Sequence, residues 1–303
     1  MRILVTGANG MLGIDLCNLL EEAGHTVIRT DVGVREGQIA PPWEKLDITE
    51  PDDVRRSLMA HQPERVIHTA AYTHVDGCEH HPDIAYKINS LGTWSIAAAC
   101  GEFDIPPLYI STDFVFDGEK RIPYTEFDSV NPISHYGASK LAGENFIKSL
   151  CRRHYIVRTQ WLYGIHGKSF PATMLGLAKQ KTEWEVVVDQ IGSPTSTLSL
   201  SQAVSEIITF PLFGLYHVAN QGECSWHTFA KKTIELAGIT GITIHPIPAD
   251  KWPSPTRRPA YSTLRRYMLE LQGKDNLPHW EEALKQFITL YQTQNNVQKG
   301  QDS

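Results

Sequence analysis

The chain predicts an α/β fold, a doubly wound parallel sheet followed by a smaller mixed α/β unit. Three observations carry this. Through residue 160, short apolar runs alternate with helix-length amphipathic segments. A glycine-rich turn joins the first run to the first helix. Beyond Trp161 the alternation loosens into shorter elements. Strands separated by helices of about ten or more residues need crossovers, so the sheet is parallel and covered on both faces. Right-handed crossovers follow as the default.

The elements follow in order. Arg2–Thr6 is an apolar run ending at Gly7. Met11–Ala23 places Leu12, Leu16, Leu19, Leu20 and Ala23 at helical spacing, and Gly24 stops that helix. Thr26–Thr30 is the second strand, and residues 33–42 read as a loop. Pro51–His61 reads as a helix with Thr49 as its N-cap. Arg65–Thr69 is a strand, Pro82–Cys100 a long helix rich in Ala and Ile, and Pro107–Thr112 a strand. A polar loop then runs through Pro132. His135–Leu150 is a helix with Leu141, Ala142, Phe146, Ile147 and Leu150 on one side, and His154–Thr159 a further strand.

In the second part, strands are expected at Trp184–Val188, Leu215–Val218 and Ile242–Pro246. Helices are expected at Ser169–Lys179, Leu198–Ile208, Ser225–Ala237 and Trp280–Tyr291. Pro253–Pro259 holds three prolines and two arginines and must be extended or turned. The chain divides into residues 1–162, residues 163–291 with some crossing between the two, and a polar tail from Gln292 to Ser303.

The composition excludes several classes. The 303 residues carry 28 Lys plus Arg and 34 Asp plus Glu, a formal net charge of −6. Mild acidity gives no footprint for nucleic acid, and no basic block suggests a membrane surface. No apolar run is long enough to span a bilayer, and the start turns Gly-rich too soon for a signal peptide. Cys17, Cys78, Cys100, Cys151 and Cys224 are odd in number and widely spaced, which fits reduced thiols in a cytoplasmic protein.

The turn Thr6-Gly7-Ala8-Asn9-Gly10-Met11-Leu12-Gly13 lies directly between strand and helix. Glycines there allow a tight turn and close backbone approach to a pyrophosphate, which then sits on free helix N–H groups. The placement, more than the GxxGxxG spacing, points to dinucleotide binding. Asp31 closes the second strand, where a carboxylate accepts from the adenosine ribose and leans towards NAD. Arg29 and Arg35 flank it and offer a partner for the extra phosphate of NADP. Asp47 stands within reach of an adenine amino group, beside Ile48.

Tyr136 and Lys140 stand four apart at the start of a helix and share a face. A nearby ammonium lowers a phenol's pKa, so Tyr136 can deliver a proton to a carbonyl oxygen as hydride reaches its carbon. Thr112 ends a strand and points its hydroxyl at the same crevice.

With these residues the chain resembles the extended short-chain dehydrogenase/reductase superfamily, and within it the dTDP-4-dehydrorhamnose reductase family. The superfamily motifs are TGANGMLG at 6–13, STD at 111–113 and YGASK at 136–140. AAYTHVD at 70–76, PYTE at 123–126, RTQWLYG at 158–164, VDQIGSPT at 188–195, GLYHVAN at 214–220 and RRPAYS at 257–262 look like this family in particular.

The resemblance implies a Rossmann-type cofactor unit and reduction of a nucleotide-linked 4-keto-6-deoxy sugar at C4, using NADH or NADPH. By motif, Tyr136 donates the proton, Thr112 bonds the reacting oxygen, and Lys140 binds the nicotinamide ribose and tunes Tyr136. Gly7, Asn9, Gly10, Met11, Leu12, Gly13, Asp31, Asp47, Ile48, Ala70, Ala71, Tyr72 and Asn89 complete the cofactor site. Thr73, Asp76, Thr112, Trp161 and Arg258 face the sugar nucleotide. Phe114 and Val188 depart from the family's usual Tyr and Asn. Some members bind Mg²⁺ through acidic residues at a dimer interface, which makes Asp15 a candidate and leaves monomer and homodimer open. Acidic residues are also favourable early in a helix without any metal.

Two other readings stay in view. One is a nucleotide-sugar epimerase or dehydratase, and Asp113-Phe114 in place of an Asp-Glu pair argues against the dehydratase. The other is a regulatory subunit like the β subunit of methionine adenosyltransferase. His135 reads as a loop residue before the helix, His80-His81 lacks a second ligand pair, and Trp226 and Trp280 read as core.

Overall fold

The computed structural model describes residues 1–33 and 42–301. Most of the loop expected at 33–42, with Arg35, lies outside the described residues.

The chain begins β1 (Arg2–Thr6), α1 (Met11–Glu22), β2 (Thr26–Asp31), β3 (Glu44–Lys45), α2 (Pro51–His61) and β4 (Arg65–His68). Then come α3 (Val75–His80), α4 (Pro82–Ala85), a π-helix over Tyr86–Gly92, and α5 (Thr93–Glu102). β5 (Pro107–Thr112), α6 (His135–Leu150) and β6 (Tyr155–Thr159) close the regular part. The rest is β7 (Leu162–Tyr163), α7 (Phe170–Leu177), β8 (Glu183–Val187), β9 (Ile191–Gly192), β10 (Thr195–Ser196), α8 (Thr197–Ile207) and β11 (Gly214–His217). It ends with β12 (Cys224–Ser225), α9 (Trp226–Leu236), β13 (Thr243–Ile247), α10 (Tyr267–Leu271) and α11 (Trp280–Gln301).

Seven strands form one sheet in the order β11-β6-β5-β4-β1-β2-β3. Every pairing in it is parallel. The order reverses between β1 and β4, where a crevice opens beyond the strands' carboxyl ends. Alternate residues of β1 feed opposite faces, as period-two geometry requires. Ile3 and Val5 join Leu16, Leu20, Leu200 and Val204 on one face. Leu4 joins Val54, Leu58, Ile96 and Ile147 on the other. A third core gathers Tyr163, Met174, Phe229, Trp280, Leu284 and Phe287 away from the main sheet.

Several details depart from expectation. The segment from Pro82 is not one α-helix, because a π-helical stretch interrupts it at Tyr86–Gly92. Thr49 does not cap α2. Glu50 holds that position, and the Thr49 hydroxyl donates to Asp47 Oδ1 at 2.8 Å. α11 continues past Tyr291 to Gln301. β11 joins the main sheet and α8 packs on α1, so a stretch beyond residue 162 completes the first layers. Among the described residues no helix is long and apolar enough to cross a membrane.

Candidate active site

A cavity of about 1130 Å³ runs along the carboxyl ends of the central strands. At one end lie Gly7, Asn9, Gly10, Met11, Leu12 and Gly13, with Asp31, Asp47 and Ile48 beside them. Gly7 has φ +70°, and a Cβ there would stand 2.7 Å from the Ala70 nitrogen. A Cβ on Gly13 would stand 2.1 Å from the Gly7 carbonyl oxygen. Both glycines are therefore required for the turn to lie flat against β4 and the start of α1. The first N–H groups of α1 have no partner within the helix and border the cavity. Such a donor set fits the diphosphate of a dinucleotide.

Asp31 borders this end, and its carboxylate is already engaged. Oδ2 accepts from the Asn9 N–H at 2.9 Å, and Oδ1 from the Val32 N–H at 2.7 Å. Arg29 is buried away from the cavity, paired with Glu21 at 2.9 Å and Asn18 at 2.8 Å. It is not placed to meet a ribose phosphate.

Ala70, Ala71, Tyr72 and Thr73 form the next stretch of wall. Asn89 does not reach the cavity. It is fully buried and clamps Tyr72, with Oδ1 accepting the Tyr72 N–H at 2.8 Å and Nδ2 donating to the Tyr72 carbonyl at 3.1 Å. Its effect on the wall is through backbone position.

Thr112, Tyr136 and Lys140 meet at the middle of the cavity. The Ser134 hydroxyl caps α6 by accepting from the Gly137 N–H at 3.1 Å, which sets the height of Tyr136. A Cβ on Gly137 would overlap the Phe114 carbonyl, so the helix start sits directly on the loop after β5. The Phe114 ring stands edge-on to Tyr136 at 5.4 Å.

Burial drives the electrostatics here. It holds the Tyr136 phenol well above its ordinary pKa, against a lowering hydrogen bond with Thr112. It pushes Lys140 down to about 7, against the raising charge of Glu144. Lys140 Nζ donates to the Ile110 carbonyl at 2.8 Å and lies 4.1 Å over the Tyr109 ring. The expected lowering of Tyr136 by Lys140 is not seen: burial raises the phenol, and the lowering influence on it is the Thr112 hydrogen bond. Glu144 is buried with Arg158 at 2.7 Å and accepts from the Ser111 hydroxyl at 2.7 Å, tying α6, β5 and β6 together below the site.

Trp161 lines the far end with φ +46°, a left-handed backbone unusual for a bulky residue. Its indole stacks on Trp226, centroids 3.6 Å apart and 9° between planes. Trp226 therefore joins the cavity wall while also packing against the third core, and Trp280 lies within that core.

Asp76 does not line the cavity. Its Oδ1 accepts from the Ser254 hydroxyl at 3.0 Å, the Thr256 hydroxyl at 2.7 Å and Arg258 Nη2 at 2.9 Å. It ties the proline-rich strap to α3, and Arg258 borders the cavity from that strap. His135 is exposed, its N–H donating to Glu79 at 2.8 Å. Asp15 accepts from Thr197 and lies 3.3 Å from His166, within the chain.

Sequence reasoning did not single out Lys87, Thr159, Gln160, Lys168, Gln190 or Ser262, which also line the cavity. Thr159, Gln160, Gln190 and Ser262 fall inside the motifs RTQWLYG, VDQIGSPT and RRPAYS, which mark the stretch but not which side chain reaches the cavity.

The family model described as RmlD substrate binding domain matches residues 1–293. The chain is 39% identical over 287 residues to the spore coat polysaccharide biosynthesis protein SpsK of Bacillus subtilis, covering 95% of this chain and 96% of that one. A solved dTDP-4-dehydrorhamnose reductase from Clostridium acetobutylicum superposes with TM-score 0.90 at 44% identity, covering 96% of this chain and all of that one. A second, from Bacillus anthracis in complex with NADP, gives TM-score 0.89 at 40% identity, covering 95% and 98%. The chain belongs to the dTDP-4-dehydrorhamnose reductase family of NAD(P)H-dependent oxidoreductases.

Proposed function

We propose that the chain reduces the C4 keto group of dTDP-4-dehydro-β-L-rhamnose, giving dTDP-β-L-rhamnose, with NADH or NADPH as the reductant. The observation that carries this is the meeting of Thr112, Tyr136 and Lys140 in the cavity that begins at the glycine turn. The names of the relatives above agree with it.

The N–H groups at the start of α1 would hold the cofactor's diphosphate, with Asp31 near the adenosine ribose and Asp47 and Ile48 near the adenine. Lys140 would hold the nicotinamide ribose. When bound, the reduced nicotinamide supplies hydride for the keto carbon. Tyr136 gives its proton to the C4 oxygen, and Thr112 bonds that oxygen and holds it in place. The raised pKa keeps the phenol protonated at neutral pH, as a proton donor requires. An anionic neighbour favours the charged form of Lys140, which then stabilises the phenolate left behind. Trp161 and Trp226 exclude water from the far side. Arg258 meets the anionic diphosphate of the sugar nucleotide, a local attraction that the net charge of −6 opposes at long range.

The test is cofactor oxidation with dTDP-4-keto sugar generated in situ and the product identified by NMR. Tyr136→Phe is expected to lower kcat by about 100- to 10,000-fold while cofactor binding persists. Near wild-type turnover by this variant removes Tyr136 as the donor. An epimerase would instead keep its cofactor through gel filtration and consume none.

A further inference from the structure

Lys140 places an ammonium in the interior. The residue is 3% exposed, and burial works against its charged form. An ammonium has three N–H donors. Among the described residues, Nζ donates to one acceptor, the Ile110 carbonyl at 2.8 Å, and has no ion-pair partner. Glu144 lies one turn along the helix and its charge favours the ammonium, but its oxygens accept from Ser111, Lys148 and Arg158 instead. What stands against Nζ is the face of Tyr109, with the ring centroid 4.1 Å away. The face of an aromatic ring carries partial negative charge, and it attracts a desolvated cation more strongly than an exposed one.

Tyr109 is itself fixed from several sides. It belongs to β5 and is fully buried. His68 of β4 pairs with it in register, and the two rings stack at 5.4 Å with 26° between planes. The phenol donates to the main-chain carbonyl of Lys140 at 3.3 Å. It fits there because residue 143 is glycine, where a Cβ would stand 2.6 Å from the phenol oxygen. One side chain thus holds Lys140 at both ends, the carbonyl through the hydroxyl and the ammonium through the ring.

We infer that Tyr109 is the positioning residue for Lys140, its ring keeping the ammonium charged and in place at the cavity. The inference deepens the reductase reading and rests on it, since Lys140 is the group read there as holding the nicotinamide ribose and stabilising the Tyr136 phenolate. The titratable groups around Lys140 are Glu144 and Tyr136 on α6, Tyr109 on β5 and His68 on β4. Burial keeps Tyr136, Tyr109 and His68 neutral at pH 7, which leaves the Glu144 charge as the constant background. Asp113 and Cys78 act on Tyr136.

The experiment titrates Lys140 directly, by NMR of protein carrying lysine labelled at the ε-carbon. The resonance is assigned by its loss in Lys140→Met. Wild type is expected to titrate at about 7. Tyr109→Phe keeps the ring and should move the midpoint by less than about 0.3 pH unit. Tyr109→Leu removes the ring and should lower the midpoint by about one pH unit. Tyr109→Met is a second ring-free variant should the leucine impair folding. The alkaline limb of kcat against pH should move down with the midpoint, while KM for the sugar nucleotide stays constant. Equal midpoints in wild type and the ring-free variants overturn the inference, because a merely structural role would leave the titration unmoved. A drop in Tyr109→Phe as large as in Tyr109→Leu also overturns it, placing the effect in the hydroxyl. A wild type that oxidises no cofactor with the 4-keto sugar nucleotide overturns the reductase reading instead and leaves the titration standing.

Discussion

The two ends of the cavity are built by different means. At the cofactor end, the wall is mostly backbone from one strand–turn–helix unit. Gly7 and Gly13 bring chain against chain, and even the Asp31 carboxylate is held by main-chain N–H groups. At the other end, which we propose takes the sugar, the wall is side chains from three distant segments. Trp161 and Gln160 follow β6, Trp226 opens α9, and Arg258 hangs from the proline-rich strap. A backbone site accepts any ligand with the right phosphate geometry, whereas a side-chain site distinguishes ligands of similar shape. Cofactor use is thus a property of the fold, and sugar choice a property of its loops.

The contrast can be broken most sharply at the glycines. Gly13→Ala places a methyl within 2.1 Å of the Gly7 carbonyl oxygen. Overpacking of this kind costs about 1–3 kcal/mol, and the loss should fall on the phosphate cradle. Cofactor affinity is expected to drop by about 100-fold, read by fluorescence titration. Gly192→Ala is its counterpart at the other end, driving a methyl within 2.6 Å of the Trp161 indole. Here KM for the sugar nucleotide should rise about tenfold with cofactor affinity intact. Equal damage to both ligands from either change would erase the distinction between the ends.

Asp76→Asn is a smaller probe, confined to the sugar end. It weakens the hold on Ser254, Thr256 and Arg258 without touching the cavity wall. Losing the charge of a half-exposed pair and straining two hydroxyl bonds should raise the sugar-nucleotide KM about fivefold at constant kcat. A fall in kcat instead would place Asp76 in the chemistry.

A separate effect is on stability. Two histidines of the main sheet, His68 and His217, are fully buried and neutral. His68 bonds the Thr6 and Thr93 hydroxyls at 2.7 and 3.0 Å beneath the cofactor end. His217 lies against the Tyr124 and Arg265 carbonyls, each at 3.2 Å. Burial pushes both down to about 3 from 6.5. Between those values the unfolded chain binds more protons, so stability is full above pH 6.5 and lost as pH falls towards 3. Asp113, pushed up to about 6 by burial, opposes this between its ordinary value and 6 with the smaller shift. Urea midpoints across pH 4–7 should show a slope of the order of 1 kcal/mol per pH unit for each histidine. His68→Gln and His217→Gln should each flatten it.

Much of the sheet and the whole glycine turn were legible in the sequence because local periodicity sets them. β1, α1, β5 and α6 match their expected spans within a residue. The π-helical stretch at Tyr86–Gly92 was not legible, since α and π turns share the same residues and differ only in hydrogen-bond register. Trp226 packs against the third core, as its spacing predicts, but its second role was hidden for a related reason. Its spacing is that of a helix facing a core, yet as the first residue of α9 it reaches the cavity. Asp76 sits in a motif, but its partners lie nearly 180 residues away.

The sequence by itself determined the parallel sheet, the glycine turn at the start of α1 and the placing of Thr112, Tyr136 and Lys140 on one cavity. Those follow from strand ends, helix periodicity and glycine sterics, all short-range. Only the tertiary structure decided that Lys140 is desolvated to a pKa of about 7, that Trp161 and Trp226 stack, and that Gln160 is buried without a partner. Burial and orphaned hydrogen bonds depend on what distant segments bring to a residue, and no spacing along the chain encodes that.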